Sequence, residues 1–142
     1  MQNLNSKILA IDFGTKIIGT AINDINLNLC LPYCEITNNE LKFKKILEIV
    51  EEENIKEIVI GFPKTQNSYV SERHQLIIDF KNQLSELLKN KNIEICFFDE
   101  SYSTKSSKES LMNFNVKTSK LKKNKDMIAA SIILENYLAS KK

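Results

Sequence analysis

The chain has 142 residues, of which 42% are hydrophobic and 27% are charged, and its formal net charge is +2. This length suits one domain of ordinary size and is too short for two full lobes, so we predict a single domain over residues 1–142. A net charge of +2 attracts a polyanion only weakly, so the positions of the lysines matter more than their total.

The N-terminus and the cysteines predict a protein that works in the cytoplasm with no membrane partner. The opening "MQNLNSKIL" lacks the basic start and apolar segment of a signal peptide, and no apolar run reaches the ~18 to 20 residues that cross a bilayer. The three cysteines, Cys30, Cys34 and Cys96, are odd in number, and C-x3-C is not a zinc or redox spacing. We therefore expect buried free thiols.

The first third of the chain predicts an antiparallel meander of three strands. Lys7 to Phe13 is a predicted strand, and its continuous apolar run from Ile8 to Ile11 is typical of a strand covered on both faces. Ile17 to Asn23 and Leu27 to Ile36 are two further strands, and Pro32 indicates an edge strand or a bulge.

Helices and strands then alternate. Asn38 or Asn39 is a predicted N-cap of a first helix, "IKEIVIGF" is a fourth strand, and a second helix carries the lone His74, which we expect at its surface or half-buried. The predicted core positions of the first helix are Phe43, Ile46, Leu47 and Val50. Those of the second helix are Leu76, Ile77, Phe80, Leu84, Leu87 and Leu88.

The last third predicts one more strand and two helices. "NIEICFF" is a fifth strand, a short helix begins at Thr104 or Ser106, and the final helix begins near Lys125 or Asp126. The core stripe of the final helix is Ala130, Ile133, Leu134, Tyr137 and Leu138. Right-handed parallel crossovers then give an α/β fold, in which a mixed five-stranded sheet, a meander followed by parallel strands, is flanked by helices.

Three acids mark a candidate metal site. Asp12 ends the first strand, Glu100 ends the fifth, and Asp126 begins the last helix; they meet at one end of the sheet if strands one and five both neighbour strand four. Carboxylates without histidine or cysteine suit Mg²⁺ or Mn²⁺, and two such ions can hydrolyse a phosphodiester. The pattern favours a nuclease. Each acid alone also fits a hairpin residue, a loop acid or a helix N-terminal charge.

Several lysines and glycines around these acids are candidate phosphate contacts. Residues 117–125 hold five lysines and no acid, which would neutralise a nucleic-acid backbone, although a solvated loop is the alternative. The predicted nucleic-acid-binding residues are Lys16, Lys64, Lys120, Lys122, Lys123 and Lys125. Gly14 and Thr15 turn the chain after Asp12, and Gly61 ends the fourth strand, so these three positions allow a phosphate to approach closely.

Four segments resemble one family. "LAIDFGTKIIGTAI", "IVIGFPKTQNS", "FFDESYST" and "NKDMIAASIILENYL" occur in the order and spacing of the pre-16S rRNA nuclease family, also called YqgF-like or Holliday-junction-resolvase-like. The resemblance runs from about Lys7 to Ala139. It implies a ribonuclease H-like fold and a bacterial cytoplasmic endonuclease, dependent on Mg²⁺ or Mn²⁺, that matures the 5′ end of 16S rRNA. The family acids correspond to Asp12, Glu100 and Asp126.

The sequence also departs from that family. Ile17 and Ser101 stand where the family usually has arginine, and the loop "GFPKTQNS" keeps Gly61 and Pro63 but lacks an acid and a glycine. RNA is the expected partner, with structured DNA as the runner-up through a Holliday junction resolvase. A non-catalytic nucleic-acid-binding module is a further alternative. A kinase of the actin type shares D-x-G-T but needs two lobes, so we expect no nucleotide cofactor.

Overall fold

The computed structural model describes residues 7–24, 29–62, 72–99 and 125–140. In chain order the elements are β1 (Lys7–Asp12), β2 (Ile17–Asp24), β3 (Leu29–Thr37), α1 (Lys42–Glu52), β4 (Ile55–Phe62), α2 (Glu72–Leu88), β5 (Glu94–Asp99) and α3 (Lys125–Ser140). The predicted short helix that starts at Thr104 or Ser106 lies outside the described residues. None of the helices in these ranges has the length and hydropathy needed to span a lipid bilayer.

The five strands form one mixed sheet in the order β3-β2-β1-β4-β5. β2 pairs antiparallel with both β1 and β3, whereas β4 pairs parallel with both β1 and β5. The predicted sheet is confirmed, and β4 lies between β1 and β5 as the candidate site requires. The last residues of β1, β4 and β5 therefore lie at the same end of the sheet, called here the carboxyl end; the opposite end is the amino end.

Successive residues of β1 point to opposite faces of the sheet, and each face has its own core. Leu9 and Ile11 belong to the cluster that packs under α1 and α2. Ile8 and Ala10 belong to a smaller cluster that packs against α3. Helices thus cover both faces, which explains the continuous apolar runs from Ile8 to Ile11 in β1 and from Ile58 to Ile60 in β4.

The core beneath α3 is built from small side chains. Ala10 pairs with Ala21 on β2 and with Val59 on β4, so the three form one row across the sheet. All three are fully buried, as is Ala130 of α3, which packs in the same cluster. Because alanine projects only a methyl group, this row lets the helix axis lie close to the sheet.

The edge strand β3 carries the predicted irregularity. Pro32 pairs with Ala21 directly after a register shift between Gly19 and Ala21. The intervening Thr20 is fully buried, and its hydroxyl donates to the Cys34 carbonyl at 2.7 Å while accepting from the Cys34 N–H at 3.0 Å. The threonine side chain therefore replaces the ladder hydrogen bonds that the bulge removes.

The predicted N-cap of α1 is wrong. Leu41 occupies the cap position and provides no side-chain hydrogen bond. Asn39 accepts instead from the N–H of Leu41 at 2.9 Å, two residues on, and the side-chain amide of Asn38 donates to the Gly14 carbonyl at 2.8 Å. Neither asparagine caps the helix, because Asn38 makes a tertiary hydrogen bond and Asn39 closes a local turn before the helix begins.

The apolar stripe of α2 is narrower than predicted. Ile77, Phe80, Leu84 and Leu88 are buried as expected, but Leu76 and Leu87 are 46% and 48% exposed. His74 is buried rather than at the surface, with its ring 5.0 Å from that of Phe62. The helix therefore faces the sheet through a stripe shifted toward His74.

The charges of α1 run against its helix dipole. Its first turn has no acid and its last turn has no base. The lysines at its start are Lys42, Lys44 and Lys45, and the glutamates toward its end are Glu48, Glu51 and Glu52. Each such misplaced charge near a helix terminus costs about 0.3 to 1 kcal/mol. The helix is held instead by the burial of Ile46, Ile49 and Val50.

An ion pair ties the end of α1 to the amino end of the sheet. Lys7 Nζ lies 2.7 Å from Glu53 Oε1, and the Tyr33 hydroxyl donates to the other carboxylate oxygen at 3.2 Å. The hydrogen bond from Lys7 is the main cause that lowers the pKa of Glu53, with burial acting in the opposite direction.

Candidate active site

Asp12 is the last residue of β1, and its position on the strand decides which face it serves. It follows Ile8 and Ala10 at every second residue, and both of those pack toward α3. Its side chain is half-buried. Asp12 therefore lies on the α3 face of the sheet, at the carboxyl end, where the predicted site requires it.

Glycines flank Asp12 on both neighbouring strands. Its pairing partner on β2 is Gly19. On β4, Gly61 lies one step beyond the Ile11–Ile60 pair and is thus level with Asp12. The chain contains only three glycines, and the third is Gly14, two residues after Asp12. The carboxylate thus projects from a stretch of sheet whose neighbouring strands carry no side chains beside it.

The turn after Asp12 is tightly packed. A β-carbon added to Gly14 would lie 2.2 Å from the carbonyl oxygen of Ile17, which is a backbone atom and cannot rotate away. Asn38 holds the same turn from outside: its side chain donates to the Gly14 carbonyl at 2.8 Å, and its N–H donates to the Lys16 carbonyl at 2.9 Å. Sequence reasoning missed this role of Asn38, and no motif around it marks the role.

The direction of α3 brings its first turn toward Asp12. Tyr137, near the end of α3, donates a hydrogen bond to Glu57 at the amino end of β4, and Cys96 Sγ lies 3.6 Å from the same hydroxyl. The 11 residues from Asp126 to Tyr137 span about 16 Å of helix. The strand from Glu57 to Gly61 covers about 13 Å. The helix is thus long enough for its start to reach the carboxyl end of the sheet.

The other predicted site residues are described only in part. Asp126 and Lys125 are the first two residues of α3, where only the backbone is described, and Thr15 and Lys16 are exposed in the turn after Asp12. Outside the described residues lie Glu100, Lys64, Lys120, Lys122 and Lys123. Among the described side chains no three histidines, cysteines or acids form a metal-binding group. Of the three predicted acids, only Asp12 is among these side chains.

The cysteines fit the predicted structural role. All three are half-buried and form no disulfide. Burial, and secondarily the charge of Glu135, raise the pKa of the Cys30 thiol to about 12, so it stays protonated and unreactive. Asp12 offers carboxylate oxygens at the candidate site, which is the ligand type that Mg²⁺ and Mn²⁺ prefer.

Solved structures share this architecture. RuvC of Thermus thermophilus, in complex with a Holliday junction substrate, aligns with a TM-score of 0.57 at 9% identity, over 95% of this chain and 96% of that one. The fowlpox virus Holliday junction resolvase aligns with a TM-score of 0.57 at 18% identity, over 96% of this chain and 99% of that one. The fold of this chain is thus the ribonuclease H-like fold of these resolvases.

Sequence comparison defines the family. The family model described as RuvX, Holliday junction resolvase, matches residues 6–140, and the chain belongs to this family. A protein of Staphylococcus saprophyticus, named as a pre-16S rRNA nuclease, is 35% identical over 96% of this chain and 98% of its own length. A protein of Rickettsia africae with the same name is 33% identical over 96% of this chain and 88% of its own length.

Proposed function

We propose that this protein is an endonuclease that hydrolyses phosphodiester bonds of RNA, with precursor 16S rRNA as its substrate and Mg²⁺ or Mn²⁺ as its cofactor. The observation that carries the proposal is the position of Asp12 on the α3 face of the carboxyl end, between Gly19 and Gly61. The choice of RNA as the substrate rests on the names of the relatives, since both are named pre-16S rRNA nucleases.

Glu100 and Asp126 are the proposed partners of Asp12 in holding the metal. Glu100 follows β5 directly, two strands away from Asp12 across β4. Asp126 belongs to the first turn of α3, and the length and direction of that helix support its approach to Asp12. A bound divalent metal would activate the attacking water and stabilise the leaving oxygen.

The residues around Asp12 have their own parts in this mechanism. The glycines on either side leave backbone alone next to the carboxylate, so that a phosphate can come close to it. Asn38 fixes the Gly14 turn and thereby the end of β1. Lys16, Lys64 and the lysines of residues 117–125 neutralise the phosphates on each side of the cut bond.

The decisive experiment is RNA cleavage by the Asp12→Asn variant. We expect the wild-type protein to cleave a precursor 16S rRNA fragment with Mg²⁺ or Mn²⁺, and Asp12→Asn to lose cleavage while still binding the RNA. The matched control is Glu94→Gln, because Glu94 is an exposed acid at the amino end of β5, away from Asp12. Equal cleavage by wild type and Asp12→Asn would refute the assigned role, and binding without cleavage by wild type would make the protein a binding module.

Resolution of DNA junctions is the second candidate function. The description of the family and the titles of the two solved structures favour it. A four-way DNA junction tested beside the RNA fragment separates the two. Cleavage of the junction alone would replace RNA by DNA as the substrate.

The lysine stretch is tested by binding. Replacing Lys120, Lys122 and Lys123 with alanine should weaken RNA binding and flatten its dependence on salt, because fewer counterions are released. An unchanged salt dependence would assign this stretch to a solvated loop.

A further inference from the structure

We propose that a basic surface on the α1 side of the sheet, formed by Lys16, Lys42, Lys44 and Lys45, binds the phosphate backbone of the RNA substrate beyond the cleavage site. This inference rests on the proposed nuclease function and extends it. It assigns a contact to residues of α1, none of which belongs to the predicted nucleic-acid-binding set.

The four lysines lie at the carboxyl end of the sheet. The end of β3 pairs with the start of β2, through Thr37 and Ile17, so α1 begins at the same end as Asp12. The N–H of Asn38 donates to the Lys16 carbonyl at 2.9 Å, which joins the turn after Asp12 to the segment that leads into α1. A backbone that passes from Asp12, on the α3 face, over the carboxyl end of the sheet would therefore meet the start of α1.

Ion pairs divide the lysines into two groups. Among the described residues the pairs are Lys7–Glu53, Lys89–Glu86 and Lys91–Glu51, and all of them lie toward the amino end. Lys16, Lys44 and Lys45 are exposed and take part in none of these pairs. The acids nearest along the chain, Glu40 and Glu48, do not pair with them either. Lys56 and Lys81 also lie outside these pairs, so what marks the carboxyl end is that three such lysines lie there together.

Helix stability does not account for this arrangement. Three lysines at the start of a helix oppose its dipole, and the first turn holds no acid to offset them. A polyanion bound along these side chains would be attracted both by the lysines and by the positive end of the helix dipole, and would offset the unfavourable charge there. A phosphate backbone fits because it offers several negative charges in a row, and the proposed substrate carries them.

The surface beside Lys42 is open. A cleft of about 310 Å³ separates the start of α1 from α2. Thr15, Asn38 and Lys42 line one side of it, and Leu76, Asp79 and Gln83 line the other. The cleft continues the basic surface toward α2, so a strand that follows the lysines has room on that side.

The test compares two triple variants with the same loss of charge. The first is Lys42→Gln, Lys44→Gln and Lys45→Gln; the control is Lys56→Gln, Lys89→Gln and Lys91→Gln at the amino end. Binding of a fluorescein-labelled precursor 16S rRNA fragment is followed by anisotropy from low to high salt, without added divalent metal. Removing one lysine–phosphate interaction should reduce the slope of log K against log salt by about 0.7 for single-stranded RNA.

We expect the α1 variant to make two or three fewer phosphate interactions than wild type, which is a decrease in slope of about 1.4 to 2.1, and the control to keep the wild-type slope. The α1 variant should also unfold at the same temperature as wild type or higher, because unfavourable charges leave the helix start. Equal slopes for the two variants would overturn the inference and would leave the proposed nuclease function unaffected. A wild-type protein that neither binds nor cleaves the RNA would overturn both proposals.

Discussion

Replacing Gly14 with alanine should damage the site more than the fold. The new β-carbon lies 2.2 Å from the Ile17 carbonyl oxygen and must retreat by about 0.8 Å to reach 3.0 Å, below which such approaches essentially never occur. Overpacking of this kind typically costs about 1 to 3 kcal/mol. Because Gly14 is two residues from Asp12, part of the displacement passes to the end of β1, and a misplacement of about 1 Å at a reacting group can reduce the rate 10²-fold.

Two measurements on the Gly14→Ala variant check this expectation. Thermal unfolding should show a modest decrease in Tm, and cleavage of the RNA fragment should be slower by about 10- to 100-fold at a temperature where the variant is folded. Thr37→Ala is the control, because Thr37 is an exposed residue at the end of β3 and the change adds no atoms. A Gly14→Ala variant that unfolds and cleaves like wild type would refute the clash.

Three further changes test other interactions. Asn38→Asp replaces the donor to the Gly14 carbonyl by an acceptor, so we expect a lower Tm and slower RNA cleavage than in Asn38→Ala; the reverse order would contradict the hydrogen bond. Thr20→Val leaves the buried N–H and carbonyl of Cys34 without the hydroxyl and should lower the free energy of unfolding by about 2 kcal/mol in urea titration. Glu53→Gln should cost about 1 kcal/mol at pH 7. The pKa of Glu53 in the folded protein is lowered from 4.5, so this difference should decrease as the pH falls below 4.5 and disappear below the folded pKa. A difference that persists in acid would refute the ion pair.

The sequence predicted the order of elements better than the use of individual polar residues. Apolar runs identified β1, β4 and β5, and the alternation of strands with helices predicted that these strands are parallel. The position of Asp12 at the carboxyl end of the sheet could therefore be predicted. The predicted buried face of α2 was too wide, because the helical period of apolar residues gives the centre of a buried face but not its width. Leu76 and Leu87 lie at its margins and are exposed.

The roles of Asn38 and Gly19 depend on pairing between distant segments. An asparagine before a helix fits an N-cap, but the amide of Asn38 reaches back 24 residues to Gly14. Gly19 becomes the neighbour of Asp12 only through the register of β1 and β2. Spacing along the chain does not reveal that register. The sequence therefore predicted Gly14 and Gly61 as part of the site but not Gly19.

The alanine row beneath α3 acts as a spacer for the proposed chemistry. Ala10 and Ala21 of this row pack with Ala130 of α3, and their small side chains let that helix lie close to the sheet. α3 carries Asp126 in its first turn. A methylene group added to a side chain in this row would push α3 away from the sheet. Asp126 would then move away from Asp12, although the added group contacts neither acid. Tolerance to substitution in this core should therefore be limited by catalytic alignment before it is limited by folding.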